Sequence, residues 1–152
     1  HVEAGTGELA ELRRMSESLE SPRIPSAFWR IVAEDLEPLE LVPPRSDLES
    51  LRPWIVILKS LAALYGQHTP GAPLGRAMVS ANVSEHRMTR LLLARGDTLI
   101  PQVRSLVHML RTQGTPVDVY GLAELILSEE QPYREDVRHR IARAFYQSST
   151  EV

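Results

Sequence analysis

Apolar residues recur three and four positions apart along most of the chain, and strict apolar–polar alternation is nowhere sustained. Spacings of three and four place side chains on one face of an α-helix, whereas a half-buried strand requires alternation. The pattern therefore predicts helices throughout. In chain order they span residues 7–18, 26–35, 53–65, 74–81, 85–95, 101–113, 118–128 and 133–147.

Proline, glycine and capping residues separate these helices. Prolines break the segments 21–26 and 37–47, and the sequence GQHTPGAP forms a connector at 66–73. Asn82 tolerates the positive φ of a tight turn, and Ser84 is a favourable N-cap for the helix that follows. We therefore predict an all-α fold, a two-lobed bundle of about eight helices.

The length and composition limit the possible architectures. A chain of 152 residues builds one domain or two small lobes, which we place at 1–96 and 97–152 and expect to pack closely. No stretch reaches the roughly 18 consecutive apolar residues that a membrane span needs. The chain has no cysteine, which excludes disulfides and thiolate metal sites and fits a reducing, cytoplasmic environment.

The charge is distributed unevenly. The formal net charge is −3, and residues 1–51 hold eleven acids against five arginines. In contrast, residues 74–111 hold six arginines and only two acids, Glu85 and Asp97. The small net charge of the whole chain thus conceals a basic middle segment, and this segment favours a polyanionic partner.

No known arrangement of catalytic or metal-binding residues is present. The five histidines lack metal-ligand spacing, and the sequence contains no nucleophile elbow, phosphate-binding glycine loop or dinucleotide fingerprint. The paired acids Glu34–Asp35 and Glu129–Glu130 are adjacent, so on a helix they point about 100° apart and do not converge on a substrate. We expect no enzymatic activity, no cofactor and no metal.

Arginine is the most informative residue type in the basic middle segment. Its planar, permanently charged guanidinium matches the oxygens of a phosphate group. In the predicted helix 85–95, Arg87 and Arg90 fall on a face beside the buried stripe, and in helix 101–113 the exposed edge carries Arg104 and Arg111. Two such edges are predicted to line a groove that follows a nucleic-acid backbone.

Two alternatives remain open from the residues alone. Residues 74–92 have the outline of a helix-turn-helix, which predicts a regulator that recognises a specific duplex sequence. That outline is degenerate, and it gives Arg104 and Arg111 no natural place. A helical adaptor whose arginines meet an acidic protein is the other alternative.

The stretches LRRMSES and IPSAFWRIV near the N-terminus are followed by PLGRAM, SEHRMTRLLLAR and QVRSLVHML. As an ordered set, these stretches resemble the CasB family, the small subunit of the type I-E CRISPR surveillance complex Cascade. They occur in the family's order, and the resemblance covers most of the chain, from about residue 9 to 147. The connector 66–73 departs from the family, because it lacks the lysines and arginines that are frequent there.

The resemblance implies an all-helical, non-enzymatic prokaryotic protein that is present in two copies. Its expected partners are the backbone and large subunits of Cascade, a second copy of itself, the guide RNA, and the target and displaced DNA strands. Its expected role is to hold the nucleic-acid backbone and so to stabilise the R-loop in antiviral defence. Family basic positions match Arg14, Arg76, Arg87 and Arg104, whereas Arg13, Arg90, Arg95 and Arg111 are supported by this sequence's own geometry. These eight arginines are the predicted nucleic-acid site.

Overall fold

The computed structural model describes residues 6–16 and 24–150, and these residues form eight α-helices. The predicted end of the first helix, at residues 17 and 18, lies outside the described residues. The helices are α1 (Thr6–Arg13), α2 (Ser26–Ile31), α3 (Arg52–Ala63), α4 (Leu74–Ser80), α5 (Glu85–Leu93), α6 (Leu99–Gln113), α7 (Val119–Leu127) and α8 (Arg134–Thr150). The described part contains no strand, only one isolated bridge between His68 and Val117, so the predicted all-α fold is confirmed.

Three short irregular helices extend this pattern. A π-helical segment, Val32–Leu36, continues α2, and the Glu37 N–H donates to the Val32 carbonyl five residues earlier at 2.9 Å. Short 3₁₀ segments lie at Gly96–Thr98 and Ser128–Glu130. They fill the breaks before α6 and after α7, where the periodic apolar pattern stops.

The chain divides into two compact units, residues 1–63 and 64–152. This boundary differs from the predicted one after residue 96. The reason is that α4 and α5 pack against α8 and α6, so both helices group with the C-terminal part of the chain. The basic middle segment therefore lies wholly in the second unit.

The first unit has an apolar core contributed by α1, α2, the π-helical segment and α3. Phe28 and Met15 are almost completely buried there, together with Leu51 and Ile55. Trp54 is only partly buried against this core, and Trp29 is 44% exposed with its ring edge-on to Phe28. Before α3, the Ser50 N–H donates to Asp47 Oδ1 at 2.8 Å, and this hydrogen bond lowers the pKa of Asp47.

In the second unit, α4 lies directly on α8. A Cβ atom at Gly75 would collide with the Ile141 carbonyl oxygen and lie 2.6 Å from the Phe145 backbone nitrogen. Only glycine allows the two backbones to come this close. This contact fixes α4 on α8, and α4 in turn leads through a tight turn into α5.

Two predicted helix boundaries in this unit are confirmed. Asn82 adopts a φ of 62° in the turn after α4, and the Ser84 hydroxyl accepts a hydrogen bond from the Arg87 N–H at 3.1 Å. Gly114 ends α6 in the left-handed conformation with a φ of 62°. Among the described helices, none combines the length and apolar character needed to cross a membrane.

Candidate nucleic-acid interface

A groove of about 330 Å³ runs between α5 and α6 in the second unit. Arg87 and Arg90 lie on its α5 wall, and Gln102, Ser105 and Met109 lie on its α6 wall. We call this concavity the basic groove. Its remaining lining consists of Met78, Val83, Ser84, His86, Leu91, Pro101 and Leu106.

Both arginines of the basic groove are exposed and carry no partner carboxylate. Within residues 6–16 and 24–150, neither Arg87 nor Arg90 forms an ion pair. Arg87 instead spans the groove, donating from Nη1 to the Ser105 hydroxyl at 3.3 Å and to the Met109 sulfur at 3.8 Å. The first contact is long for a hydrogen bond and the second has a weak acceptor, so neither competes strongly with a phosphate oxygen.

The two walls follow from the local sequence. In α5 the buried residues Met88, Leu91 and Leu92 anchor one side of the helix and leave Arg87 and Arg90 on the neighbouring side. In α6 the groove residues 102, 105 and 109 recur at spacings of three and four, beside the buried stripe. The sequence prediction did not include this α6 wall, because helical spacing places these residues on one side of α6 but does not show which helix that side faces.

Arg104 and Arg111 lie on a different face of α6. Both are exposed, but at 100° per residue their edge is turned roughly 140° away from the wall of Gln102, Ser105 and Met109. The structure therefore brings Arg87 and Arg90 together in the basic groove and places Arg104 and Arg111 outside it. The predicted single track across both helices is divided into two basic faces.

Arg95 is occupied by contacts within the protein. Its Nη2 donates to Glu135 Oε1 at 2.6 Å, and its Nη1 donates to the Leu92 and Ala94 carbonyls at 2.8 and 3.0 Å. These carbonyls belong to the C-terminal end of α5, where a cation also interacts favourably with the helix dipole. We therefore assign Arg95 a structural role as a cap that ties α5 to α8.

Arg95 belongs to a larger cluster, which we call the Arg138 network. Arg138 is 2% exposed and donates from Nη2 to Glu129 Oε2 at 2.9 Å and to the Ala94 carbonyl at 3.1 Å. Arg134 donates from Nη1 to Glu129 Oε1 at 3.3 Å, and its Nε lies 3.6 Å from Glu135 Oε1. Arg138 therefore forms a buried ion pair rather than part of a solvated helix face.

The remaining predicted arginines lie elsewhere. In the first unit, Arg13 is half-buried and donates from Nε to the Ala62 carbonyl at 2.8 Å, while Arg14 is exposed beside Glu11 at a shallow cavity. In the second unit, Arg76 is exposed on α4 and does not line the basic groove. Within the described ranges, no group of three histidine, aspartate or glutamate side chains is arranged to hold a metal ion.

The structure contains the two helices and the turn that the helix-turn-helix outline predicts. α4, the turn at Asn82 and α5 follow in the expected order, but Arg87 and Arg90 face the concavity beside α6. A recognition helix must protrude to enter the major groove of DNA. Here the arginines line a recess, which does not match that mode of binding.

Two solved structures share this fold. A Cse2-family CRISPR-associated protein from Thermus thermophilus matches with a TM-score of 0.62 and 27% identity, over 93% of this chain and 86% of that one. CasB from Thermobifida fusca matches with a TM-score of 0.62 and 21% identity, over 92% and 84% of the two chains. No curated protein matches the sequence.

A family model supplies the stronger comparison, because it matches the sequence itself over nearly all of the described helices. The model describes the CRISPR-associated protein Cse2, and it matches residues 8–146. The resemblance to CasB is thereby confirmed, and the chain belongs to the Cse2 family of CRISPR-associated proteins.

Proposed function

We propose that this chain is a non-catalytic, nucleic-acid-binding subunit of the Cascade surveillance complex. In this role it holds guide RNA, target DNA or the displaced strand by the phosphate backbone and so stabilises the R-loop. Membership in the Cse2 family supports a place in such a complex. The accompanying partners are the other Cascade subunits and a second copy of this chain.

The observation that carries the proposal is the pair of arginines without carboxylate partners in the basic groove. Arg87 and Arg90 lie one helical turn apart on the same wall. Neighbouring backbone phosphates would gain charge-assisted hydrogen bonds from these two arginines, and they would replace only the long Ser105 contact and the weak Met109 contact of Arg87. Arg104 and Arg111 would add positive charge on a separate face of α6, outside the groove.

Because strand exchange is nearly balanced in free energy, a modest binding free energy from the protein is enough to favour the R-loop. An RNA–DNA heteroduplex is about as stable as the DNA duplex that it replaces, so a few protein–backbone contacts tip the balance. Base pairing supplies the sequence specificity, and the protein supplies charge and shape. A small subunit without catalytic groups can therefore alter R-loop yield.

The test is R-loop formation by the assembled complex carrying the variant Arg87→Ala/Arg90→Ala. Permanganate reactivity of thymines in the displaced strand reports R-loop yield, and we expect the variant to lower it several-fold at limiting complex concentration. Arg140→Ala/Arg143→Ala removes the same charge from α8, outside the groove, and is expected to leave the yield unchanged.

An unchanged yield in the groove variant would contradict the proposal. An equal loss in both variants would also contradict it, because the effect would then reflect overall charge rather than the groove. Binding of the isolated chain to one particular duplex, with scrambled duplex failing to compete, would instead favour the helix-turn-helix regulator.

A further inference from the structure

The dimensions and lining of the basic groove point to a more specific ligand than a backbone alone. At about 330 Å³ it falls at the lower end of the range for small-molecule pockets, roughly 300–1,000 Å³. A simple phosphate-contacting surface needs charge but no concavity of this kind. The groove therefore offers space beside the arginines that a phosphate does not fill.

That space is lined by groups suited to a nucleobase. The lining includes the buried apolar residues Met78, Leu91 and Leu106, and the α6 wall adds the exposed ring of Pro101. Gln102 carries an amide, which both donates and accepts hydrogen bonds at the edge of a base. Unstacked bases are recognised by this combination of apolar or planar contact and hydrogen bonding at their edges.

The position of Arg87 connects the two halves of the groove. Its guanidinium crosses from α5 to Ser105 on α6, so it lies over the space between the walls. In this position it can contact a phosphate at the rim and present its planar face to a base below, as arginine does in RNA-binding sites. Arg90, one turn further along the same wall, would hold the adjacent phosphate.

The same geometry excludes a duplex from the groove. In duplex recognition a protein helix protrudes into a nucleic-acid groove about 12 Å wide, whereas here the concavity belongs to the protein. Stacked, paired bases cannot enter a recess between two helices. A single strand can present one base at a time, because it needs only to unstack that base.

We infer that the basic groove binds one unstacked nucleotide of a single strand, with its phosphates on Arg87 and Arg90 and its base against the α6 wall. The inference rests on the proposed function, because it concerns the same groove. In this binding mode the base also contributes to the affinity, whereas in backbone binding only the phosphates do. It also makes the groove selective for single-stranded over duplex nucleic acid.

The test is fluorescence anisotropy with the full chain and labelled probes of about 15 nucleotides, a length that fits single-strand site sizes. The probes are oligo(dT), oligo(rU), an abasic strand with the same phosphates, and a duplex. We expect oligo(dT) or oligo(rU) to bind about tenfold more tightly than the abasic strand and the duplex. The tighter of the two indicates a DNA or an RNA strand as the source.

Substitutions separate base binding from phosphate binding. Ser105→Leu fills the recess and keeps both arginines, so it should abolish the preference for the strand with bases while retaining the salt dependence of binding. Thr112→Leu is a matched control on α6 outside the groove and should change neither property. Gln102→Ala, which only shortens a side chain, should reduce the preference by a few-fold.

Each result has a distinct meaning. Equal affinity for the abasic strand and oligo(dT), or a duplex that binds as tightly, would overturn base insertion and leave backbone binding intact. A base preference that survives in Ser105→Leu and Gln102→Ala would overturn the assignment to this groove. An affinity for these probes that does not change when Arg87 and Arg90 are replaced by alanine would overturn the proposed function itself.

Discussion

Two groups of arginines lie in the second unit, and their surroundings are opposite. In the basic groove, Arg87 and Arg90 are exposed and form no ion pair among the described residues. In the Arg138 network, Arg95, Arg134 and Arg138 are bonded to Glu129 or Glu135. The guanidinium groups are chemically identical, so the nearby carboxylates decide which of them can bind an external anion.

The difference also separates function from stability. An exposed arginine without a carboxylate partner contributes little to folding, and its removal alters mainly what the surface binds. A buried arginine must be compensated, so removing it or its carboxylate disturbs the fold. The two groups should therefore respond in opposite ways to the same substitution.

The largest expected effect concerns Arg138. Arg138→Ala leaves Glu129 with only Arg134 and removes one of the two arginine donors to the Ala94 carbonyl, so we expect a loss of about 3 kcal/mol in the free energy of unfolding. For a chain of this size the Tm should fall by roughly 10 °C. Circular dichroism measures the change, and Arg143→Ala, exposed on the same helix, serves as the control. Equal melting of the two variants would show that the network is not stabilising.

A smaller loss is expected for Arg95. Its ion pair with Glu135 is about one-third exposed on the arginine side, so solvent screens much of the attraction. Arg95→Ala should lower the free energy of unfolding by about 1 kcal/mol, chiefly through the α5 carbonyls that it caps. A double-mutant cycle with Glu135→Gln should give a coupling energy below about 1 kcal/mol. A coupling energy as large as the loss expected for Arg138→Ala would contradict the prediction that Arg95 contributes less to stability than Arg138.

The groove arginines should contribute least to stability. We expect Arg87→Ala/Arg90→Ala to change the free energy of unfolding by no more than about 0.5 kcal/mol. Chemical denaturation of the isolated chain measures this value. A loss comparable to that of Arg138→Ala would mean that the two arginines are structural after all.

At the N-terminal end of α5, we expect an effect on the ionisation of a tyrosine, without a large change in stability. The Tyr146 hydroxyl donates to Glu85 Oε1 at 2.7 Å, and this bond raises the pKa of Tyr146 above its usual value near 10. The bond favours the protonated phenol, so its contribution is present below pH 10 and is lost as the pH rises through the folded pKa. In an ultraviolet titration one of the four tyrosines should ionise late, and this phase should be absent in Tyr146→Phe.

Much of the fold could be predicted from the sequence because helix periodicity and end signals are local. The turn at Asn82, the cap at Ser84 and the end of α6 at Gly114 all depend on residues within one helical turn. The unit boundary after Ala63 depends instead on which helices pack together. Packing such as that of Gly75 on α8 leaves no signal in a single sequence.

The candidate site was less predictable for the same reason. Arg95 is paired with Glu135, forty positions later in the sequence, and the buried Arg138 bonds Ala94, 44 positions earlier. Periodicity placed Arg87 and Arg90 on one face of α5. It could not show that α6 presents Gln102 and Ser105 to them while Arg104 and Arg111 point elsewhere.

The salt dependence of single-strand binding tests the distinction between the two groups most directly. Each phosphate contact in a single strand contributes about 0.7 to the slope of log affinity against log salt concentration. We predict that Arg87→Ala/Arg90→Ala lowers the slope by about 1.4. Arg95→Ala/Arg140→Ala, which removes two carboxylate-paired arginines and the same charge, should leave it unchanged. Equal slopes for the two variants, or a larger loss in the paired variant, would contradict the account.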